Sequence, residues 1–101
     1  MKEPAGTPRH PRDRVAKTIN RMYELGMTTT SGGNISMRDS GTRIWITPAA
    51  VDKGALGADD VVCVHPDGTC EGRHKPSSEL PFHRAIYDAR PDLNAIVHAH
   101  P

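Results

Sequence analysis

The sequence is poor in aromatic residues, with one tryptophan, two tyrosines and one phenylalanine among 101 residues. Aromatic side chains bury more surface than most others, so their scarcity limits the core that the chain can build alone. The apolar fraction of 36% points the same way. We therefore expect another segment or subunit to cover part of the hydrophobic surface.

The sequence also lacks a charge surplus, a long apolar run and a set of cysteines. A net charge of +1 argues against nucleic acid or an anionic membrane as partner. No run approaches the ~20 apolar residues that cross a bilayer, and residues 1–14 do not resemble a signal peptide. Cys63 and Cys70 are too few for a secreted disulfide framework, so we expect free thiols. A cytoplasmic protein is the expected class.

The beginning of the chain divides into a tail and a helix. Residues 1–11 combine proline, glycine and charge without periodicity, which predicts a disordered tail. Val15, Ile19 and Met22 then recur at the spacing of an amphipathic helix, and Gly26 is placed to end it. The remaining chain is expected to form one domain.

Short strand patterns dominate the rest of the sequence. A second helix, capped by Ser77 or Ser78, is expected to end before Pro91. The apolar run Ala95-Ile96-Val97 then predicts a buried strand that leads directly into His98. Four earlier strands are expected to form two hairpins, at residues 35–37 with 42–47 and at 61–64 with 69–71.

The pair His98 and His100 is the first candidate for chemistry. Side chains two apart on a strand point to the same face and lie about 7 Å apart, so both imidazoles can approach one ion. A catalytic zinc site usually has three protein ligands and one open position. The pair thus predicts two ligands of a metal site, although two partly exposed histidines at a strand end would look the same.

Two loops are candidates for binding an anion. In the segment 75–79, Ser77 and Ser78 lie beside the unpaired N–H groups of a helix N-terminus, a favourable position for phosphate. An ordinary serine cap followed by the acidic Glu79 is the alternative. Gly33 and Asn34 belong to a Gly-Gly loop that can turn several amides towards one point, although such a loop is more often a plain connection.

A second metal arrangement competes with the histidine pair. Cys63, His65, Cys70 and His74 surround the second predicted hairpin and offer four zinc ligands. The alternative is that Cys63, within an apolar run, is a small core residue. His83 follows Glu79 by one helical turn and is a candidate partner for it, but we expect a solvent-facing side chain.

Five short motifs follow one another along the chain: Gly33-Asn34-Ile35-Ser36, Ile46-Thr47-Pro48, Pro76-Ser77-Ser78-Glu79, Arg90-Pro91-Asp92 and Val97-His98-Ala99-His100-Pro101. Their order and separations, including 19 residues between Glu79 and His98, resemble the class II aldolase/adducin family from about residue 15 to the end. The resemblance implies a three-layer α/β/α sandwich around a mainly antiparallel sheet, truncated here and covering residues 12–101, and a homotetramer in the full-length protein.

The same resemblance implies an activity and residue roles. The activity is zinc-dependent, reversible aldol cleavage of a short phosphorylated ketose, similar to fuculose 1-phosphate, into dihydroxyacetone phosphate and an aldehyde. His98 and His100 would be two of three zinc ligands, and Glu79 would both approach the zinc and act as the acid/base. The residues that would hold the phosphate are Gly33, Asn34, Thr47, Ser77 and Ser78.

The sequence departs from the family pattern in two places. The usual Thr-Pro-Ser/Thr-Gly is replaced by Thr47-Pro48-Ala49-Ala50, which removes a hydroxyl and a glycine from the phosphate loop. The third histidine and an acid tyrosine would follow Pro101, so we expect a truncated chain that binds zinc weakly and is inactive alone. Glu79 favours an aldolase over the related 4-epimerases, which tend to have aspartate there. An epimerase, a dehydratase, a decarboxylase or a non-catalytic adducin-like interaction domain is the alternative.

Overall fold

The computed structural model describes residues 10–29 and 32–99, apart from the side chain of Lys53. The predicted disordered tail falls mostly on residues 1–9, which lie outside the described residues. No helix in the described ranges is both long enough and apolar enough to cross a bilayer. The helices and strands are α1 (Pro11–Glu24), β1 (Asn34–Arg38), β2 (Ile44–Ile46), β3 (Val62–Val64), β4 (Cys70–Glu71), α2 (Leu80–Ala89) and β5 (Ala95–His98).

Helix α1 follows the periodicity of the sequence. Pro11 occupies the first turn, where its missing N–H is not needed, and the His10 ring accepts a hydrogen bond from the Arg12 N–H at 3.2 Å. Val15 and Ile19 are fully buried. Gly26, with φ of +72°, takes the left-handed conformation that ends the helix, as predicted.

The strands form one antiparallel sheet in the order β4-β3-β2-β1-β5. Successive strand side chains alternate between its faces, and a helix covers each face, which confirms the predicted three-layer α/β/α fold. The α1 face buries Ile35, Trp45, Leu56, Val61 and Cys63 against α1, and the α2 face buries Ile44, Ile46, Val62 and Val64 with Tyr87 of α2.

Strand β5 does not have the predicted buried position. Within the described part of the chain it pairs with β1 alone, at one edge of the sheet. Ala95 and His98 are exposed, and Val97 is 56% exposed. A short apolar run does not distinguish a central strand from an edge strand, because burial depends on neighbours elsewhere in the chain.

Candidate active site

The pairing of β1 with β5 brings the predicted site residues together beneath α2. Asn34 is directly opposite His98, and Ser36 is opposite Ile96. Because side chains two apart on a strand share a face, Asn34, Ser36 and His98 all lie on the α2 side of the sheet. Helix α2 covers this side with the buried His83.

A cavity of about 390 Å³ opens between α2 and β5. Glu79 reaches it from the start of α2, and His98 reaches it from the end of β5. The predicted carboxylate and one predicted metal-binding imidazole therefore lie on the same side of the sheet and border one space. His100, the other predicted ligand, lies outside the described residues. The remaining lining residues are Phe82, His83, Ile86, Ile96 and Val97.

A buried chain of hydrogen bonds lies behind this cavity. The Asn34 carbonyl can only accept, so the His83 Nε2–H donates to it, at 2.5 Å. Neutral His83 then accepts at Nδ1 from the Ser36 hydroxyl, at 2.6 Å, and Ser36 accepts from the Tyr87 hydroxyl, at 2.8 Å. The donors thus run in one direction, from Tyr87 to Asn34.

The buried chain ends at His98. The Asn34 amide nitrogen lies 3.4 Å from His98 Nδ1 and is oriented to donate to it. Burial lowers the pKa of His83, and the nearby His98 lowers it further, while Glu79 opposes the shift. The neutral form of His83 is therefore favoured, which matches the donor order. Asn34, expected to bind phosphate, uses its amide inside the protein.

The prediction that His83 faces solvent is wrong, since the residue is 2% exposed. A pattern in the sequence could have identified its position. Leu80, His83 and Tyr87 are spaced by three and four residues, the spacing of one helical face. Histidine is not an apolar residue, so a hydrophobic pattern does not predict its burial, although hydrogen bonding allows it to be buried.

The segments 47–50 and 75–79, both predicted to bind phosphate, are joined by backbone hydrogen bonds. The Ser77 N–H donates to the Thr47 carbonyl and the Ala49 N–H donates to the Lys75 carbonyl, both at 2.9 Å. Thr47 is fully buried, and its hydroxyl oxygen accepts from the Ile35 N–H at 3.2 Å. This geometry favours a positioning role for Thr47 over direct contact with a ligand.

The predicted serine cap of α2 is wrong in detail. The residue before the first helical turn is Glu79, and its side chain makes no capping hydrogen bond. Ser77 instead accepts a hydrogen bond from the Glu79 N–H, at 3.2 Å, while Ser78 is exposed. The half-buried Glu79 side chain is therefore not used as a helix cap, and the Ser78 side chain is open to solvent.

Gly33 is required where the loop enters β1. Its φ is +79°, and an added Cβ would collide with the Thr28 side chain and lie 3.2 Å from the His98 carbonyl. We expect Gly33→Ala to lower the free energy of unfolding by roughly 2–4 kcal/mol, from backbone strain and overpacking combined. Urea unfolding measures this loss. Gly26→Ala is the matched control, since Gly26 has φ of +72° and no atom within 4 Å of the added Cβ. An equal loss of unfolding free energy in both variants would contradict a contribution from the collision.

Ala50 adopts a backbone conformation that suits glycine. Its φ is +56°, at the position where the family pattern has glycine. We expect Ala50→Gly to raise the free energy of unfolding by about 0.5–1 kcal/mol, since relief of left-handed strain exceeds the added chain entropy of glycine. Urea unfolding is again the measurement. Ala55→Gly, within the 3-10 turn Lys53–Ala55, should instead be destabilising, and a gain there would contradict this explanation.

The alternative zinc set is not assembled as predicted. Cys70 is opposite Val64, which packs on the α2 face, whereas Cys63 packs on the α1 face. His74 is bonded to Asp60 at 2.8 Å. Both cysteines are free thiols, as expected.

Comparisons with known proteins agree with the fold. The family model for the Class II Aldolase and Adducin N-terminal domain matches residues 13–101. A 5-deoxy-D-ribulose 1-phosphate aldolase from Bacillus thuringiensis serovar kurstaki is 38% identical over 92 residues, which cover 88% of this chain and 43% of the relative. A 3-oxo-tetronate 4-phosphate decarboxylase from Haemophilus influenzae is 37% identical over 78 residues, which cover 77% of this chain and 37% of the relative.

A solved structure of an L-fuculose 1-phosphate aldolase superimposes with a TM-score of 0.83 and 31% identity, covering 93% of this chain and 45% of that protein. The chain thus spans less than half the length of these relatives. The match over residues 13–101 includes all five strands, α2 and all of α1 except its first two residues. The chain therefore belongs to the class II aldolase and adducin family.

Proposed function

We propose that this chain supplies part of the active site of a metal-dependent aldolase that cleaves a short phosphorylated ketose. The observation that carries the proposal is the shared cavity of Glu79 and His98, a carboxylate and an imidazole on one side of the sheet. Two of the relatives above are named as aldolases of sugar phosphates, which supports the same reaction class.

The donors at the cavity fit a divalent metal ion. Imidazole and carboxylate are both zinc ligands, and the family resemblance adds His100 and a further histidine. Glu79 and His98 would hold the ion, which when bound supplies Lewis-acid polarisation of the substrate carbonyl. His83 holds Asn34 beside the His98 ring, where the Asn34 amide nitrogen lies 3.4 Å from His98 Nδ1.

In the proposed reaction, Glu79 moves the proton. In the direction of aldol addition its carboxylate accepts a proton from the carbon of dihydroxyacetone phosphate that lies next to the carbonyl. In the direction of cleavage Glu79 returns that proton to the same carbon as the carbon–carbon bond breaks, and the hydroxyl proton of the departing aldehyde would pass to a further group, such as the tyrosine that the family resemblance implies. Phe82 and Ile86 give the cavity a partly apolar lining. Glu79 is thus proposed as the acid/base as well as a metal ligand.

The phosphate group is proposed to bind at the start of α2. The exposed Ser78 hydroxyl and the half-buried Ser77 lie at a helix N-terminus, which favours an anion. Gly33, which is buried, lies beside the His98 carbonyl at the end of β5. Thr47 is hydrogen-bonded to both Ser77 and Ile35, so it holds these two segments in place. Ala49 supplies no hydroxyl for the phosphate.

The proposal also includes a homotetramer and a cytoplasmic location. Phe82, Ile86 and Val97 expose apolar surface beside the cavity, at 69%, 36% and 56%. This surface supports the expectation that a further segment or subunit covers the site.

The test is an assay of the product of the complete reading frame, because this chain spans less than half of its relatives. We expect dihydroxyacetone phosphate to be released from 5-deoxyribulose 1-phosphate or fuculose 1-phosphate, with loss of activity on chelation and recovery with zinc. 3-Oxo-tetronate 4-phosphate is assayed in parallel because one relative is a decarboxylase. Carbon dioxide release without aldol cleavage would identify a decarboxylase, and no turnover of any substrate would favour an adducin-like interaction domain.

A further inference from the structure

The hairpin of β3 and β4 brings together three side chains that bind metals. Cys63 and Glu71 are directly opposite each other, so their side chains leave the same face of the sheet. His65 follows Cys63 by two residues and shares that face. The Cys63 sulfur, an imidazole nitrogen of His65 and a carboxylate oxygen of Glu71 all lie within 4.8 Å of one another.

This cluster is remote from the candidate active site. Strand β4 forms one edge of the sheet and β5 forms the other. In addition, Cys63 packs on the α1 face, whereas His98 lies on the α2 face. A metal bound at the hairpin would therefore not be the ion of the proposed aldolase.

We propose that Cys63, His65 and Glu71 form a separate divalent-metal site with thiolate, imidazole and carboxylate ligands and an open fourth position. This donor set is typical of zinc. Zinc–ligand bonds of about 2.0–2.3 Å place neighbouring ligand atoms roughly 3.3–3.8 Å apart, so only small side-chain movements are needed. His65 Nε2 and a Glu71 oxygen are already 2.9 Å apart.

The surroundings of the cluster permit an ion to enter and stay. A cavity of about 530 Å³ is lined by Cys63 and Glu71 and gives access to the otherwise buried sulfur. Three guanidinium groups are near, and Arg12 is among the residues that line the cavity. The other two are paired with carboxylates: Arg73 lies 3.6 Å from Asp59, and Arg43 lies 2.9 Å from Asp39. Their positive charge is therefore partly neutralised.

The buried thiol favours a particular class of ion. Zinc and cobalt form strong bonds to thiolate, whereas magnesium and calcium prefer oxygen ligands. The site is thus selective for borderline-soft ions.

Cobalt(II) titration tests the site, because thiolate ligands give cobalt an intense charge-transfer absorption. We expect one cobalt per chain with this band in the 101-residue protein, and the same band in His98→Ala, which lacks the active-site imidazole. Cys63→Ser should abolish the band, and Cys70→Ser, the matched control on the same hairpin, should retain it. Zinc affinity should fall by at least about 10-fold in His65→Gln and in Glu71→Gln.

Circular dichroism establishes that each variant is folded. If Cys63→Ser does not fold, His65→Gln and Glu71→Gln still decide the question, since both side chains are partly exposed. The absence of the band in the unmodified chain, its persistence in folded Cys63→Ser, or its loss in Cys70→Ser would overturn the proposal. Unchanged zinc affinity in both glutamine variants would do the same.

Discussion

Glu79→Gln is expected to lower kcat by about 10²- to 10⁴-fold in the product of the complete reading frame. Glutamine preserves the size of the side chain but cannot carry a proton to or from the carbon next to the carbonyl. Glu79 borders the cavity with its side chain and makes no capping hydrogen bond to α2, so the fold should be retained. Steady-state kinetics with the best substrate of the panel measure the change.

Glu24→Gln is the matched control for this substitution. Glu24 is the last residue of α1 and is exposed, on an element that packs against the opposite face of the sheet. Its replacement should leave kcat within about twofold, since surface substitutions of this kind have small effects. Activity within tenfold of normal in Glu79→Gln would exclude Glu79 as the acid/base, even if aldol cleavage itself were observed.

His83→Leu is expected to lower the free energy of unfolding by about 2–5 kcal/mol. The substitution leaves the buried Asn34 carbonyl without its donor and the Ser36 hydroxyl proton without its acceptor, although Ser36 keeps its bond to Tyr87. An unsatisfied buried donor or acceptor costs about 1–3 kcal/mol. Such a loss is a large part of the 5–15 kcal/mol typical of a folded domain. Urea unfolding, monitored by circular dichroism, measures it.

The control for His83 is His74→Leu. His74 also has a hydrogen-bonded partner, Asp60, but its side chain is 30% exposed, so the expected loss is below about 1 kcal/mol. Equal losses in the two variants would contradict a special role for the buried chain.

The stability of the protein should also depend on pH through His83. Burial lowers its pKa in the folded state below the ordinary value of 6.5, so the unfolded chain binds the proton more readily. The contribution of neutral His83 is therefore complete above about pH 6.5 and is lost as the pH falls from there to the lower folded pKa. Urea midpoints measured across this range should fall less steeply in His83→Leu. A parallel dependence in both proteins would rule out His83 as the source.

Much of the fold could be predicted from local patterns. The periodicity of Val15, Ile19 and Met22 predicted α1, and the hairpin residues predicted four of the five strands together with their pairing. These features follow from the 3.6- and 2-residue repeats, which need no knowledge of distant contacts. Glu79 and His98 border one cavity on one side of the sheet, while their roles in a site stay predictions.

The errors concern interactions between distant residues. His83 is buried because Asn34 and Ser36, 49 and 47 residues earlier, satisfy both of its ring nitrogens. Strand β5 is exposed because its only described neighbour is β1. The start of α2 differs from the expected serine cap because the Thr47 carbonyl binds the Ser77 N–H from another loop. None of these partners is visible in the local sequence.

Two backbone hydrogen bonds join the loops around Thr47 and Ser77, so the position of these loops does not depend on which side chains they carry. Carbonyl and N–H groups make these bonds, so side chains at positions 49 and 75 can change without displacing the carboxylate at the start of α2. Selection can thus change the loops that are proposed to recognise the substrate, while Glu79, the proposed acid/base, keeps its position. Such independence is consistent with one scaffold serving relatives named as an aldolase and as a decarboxylase.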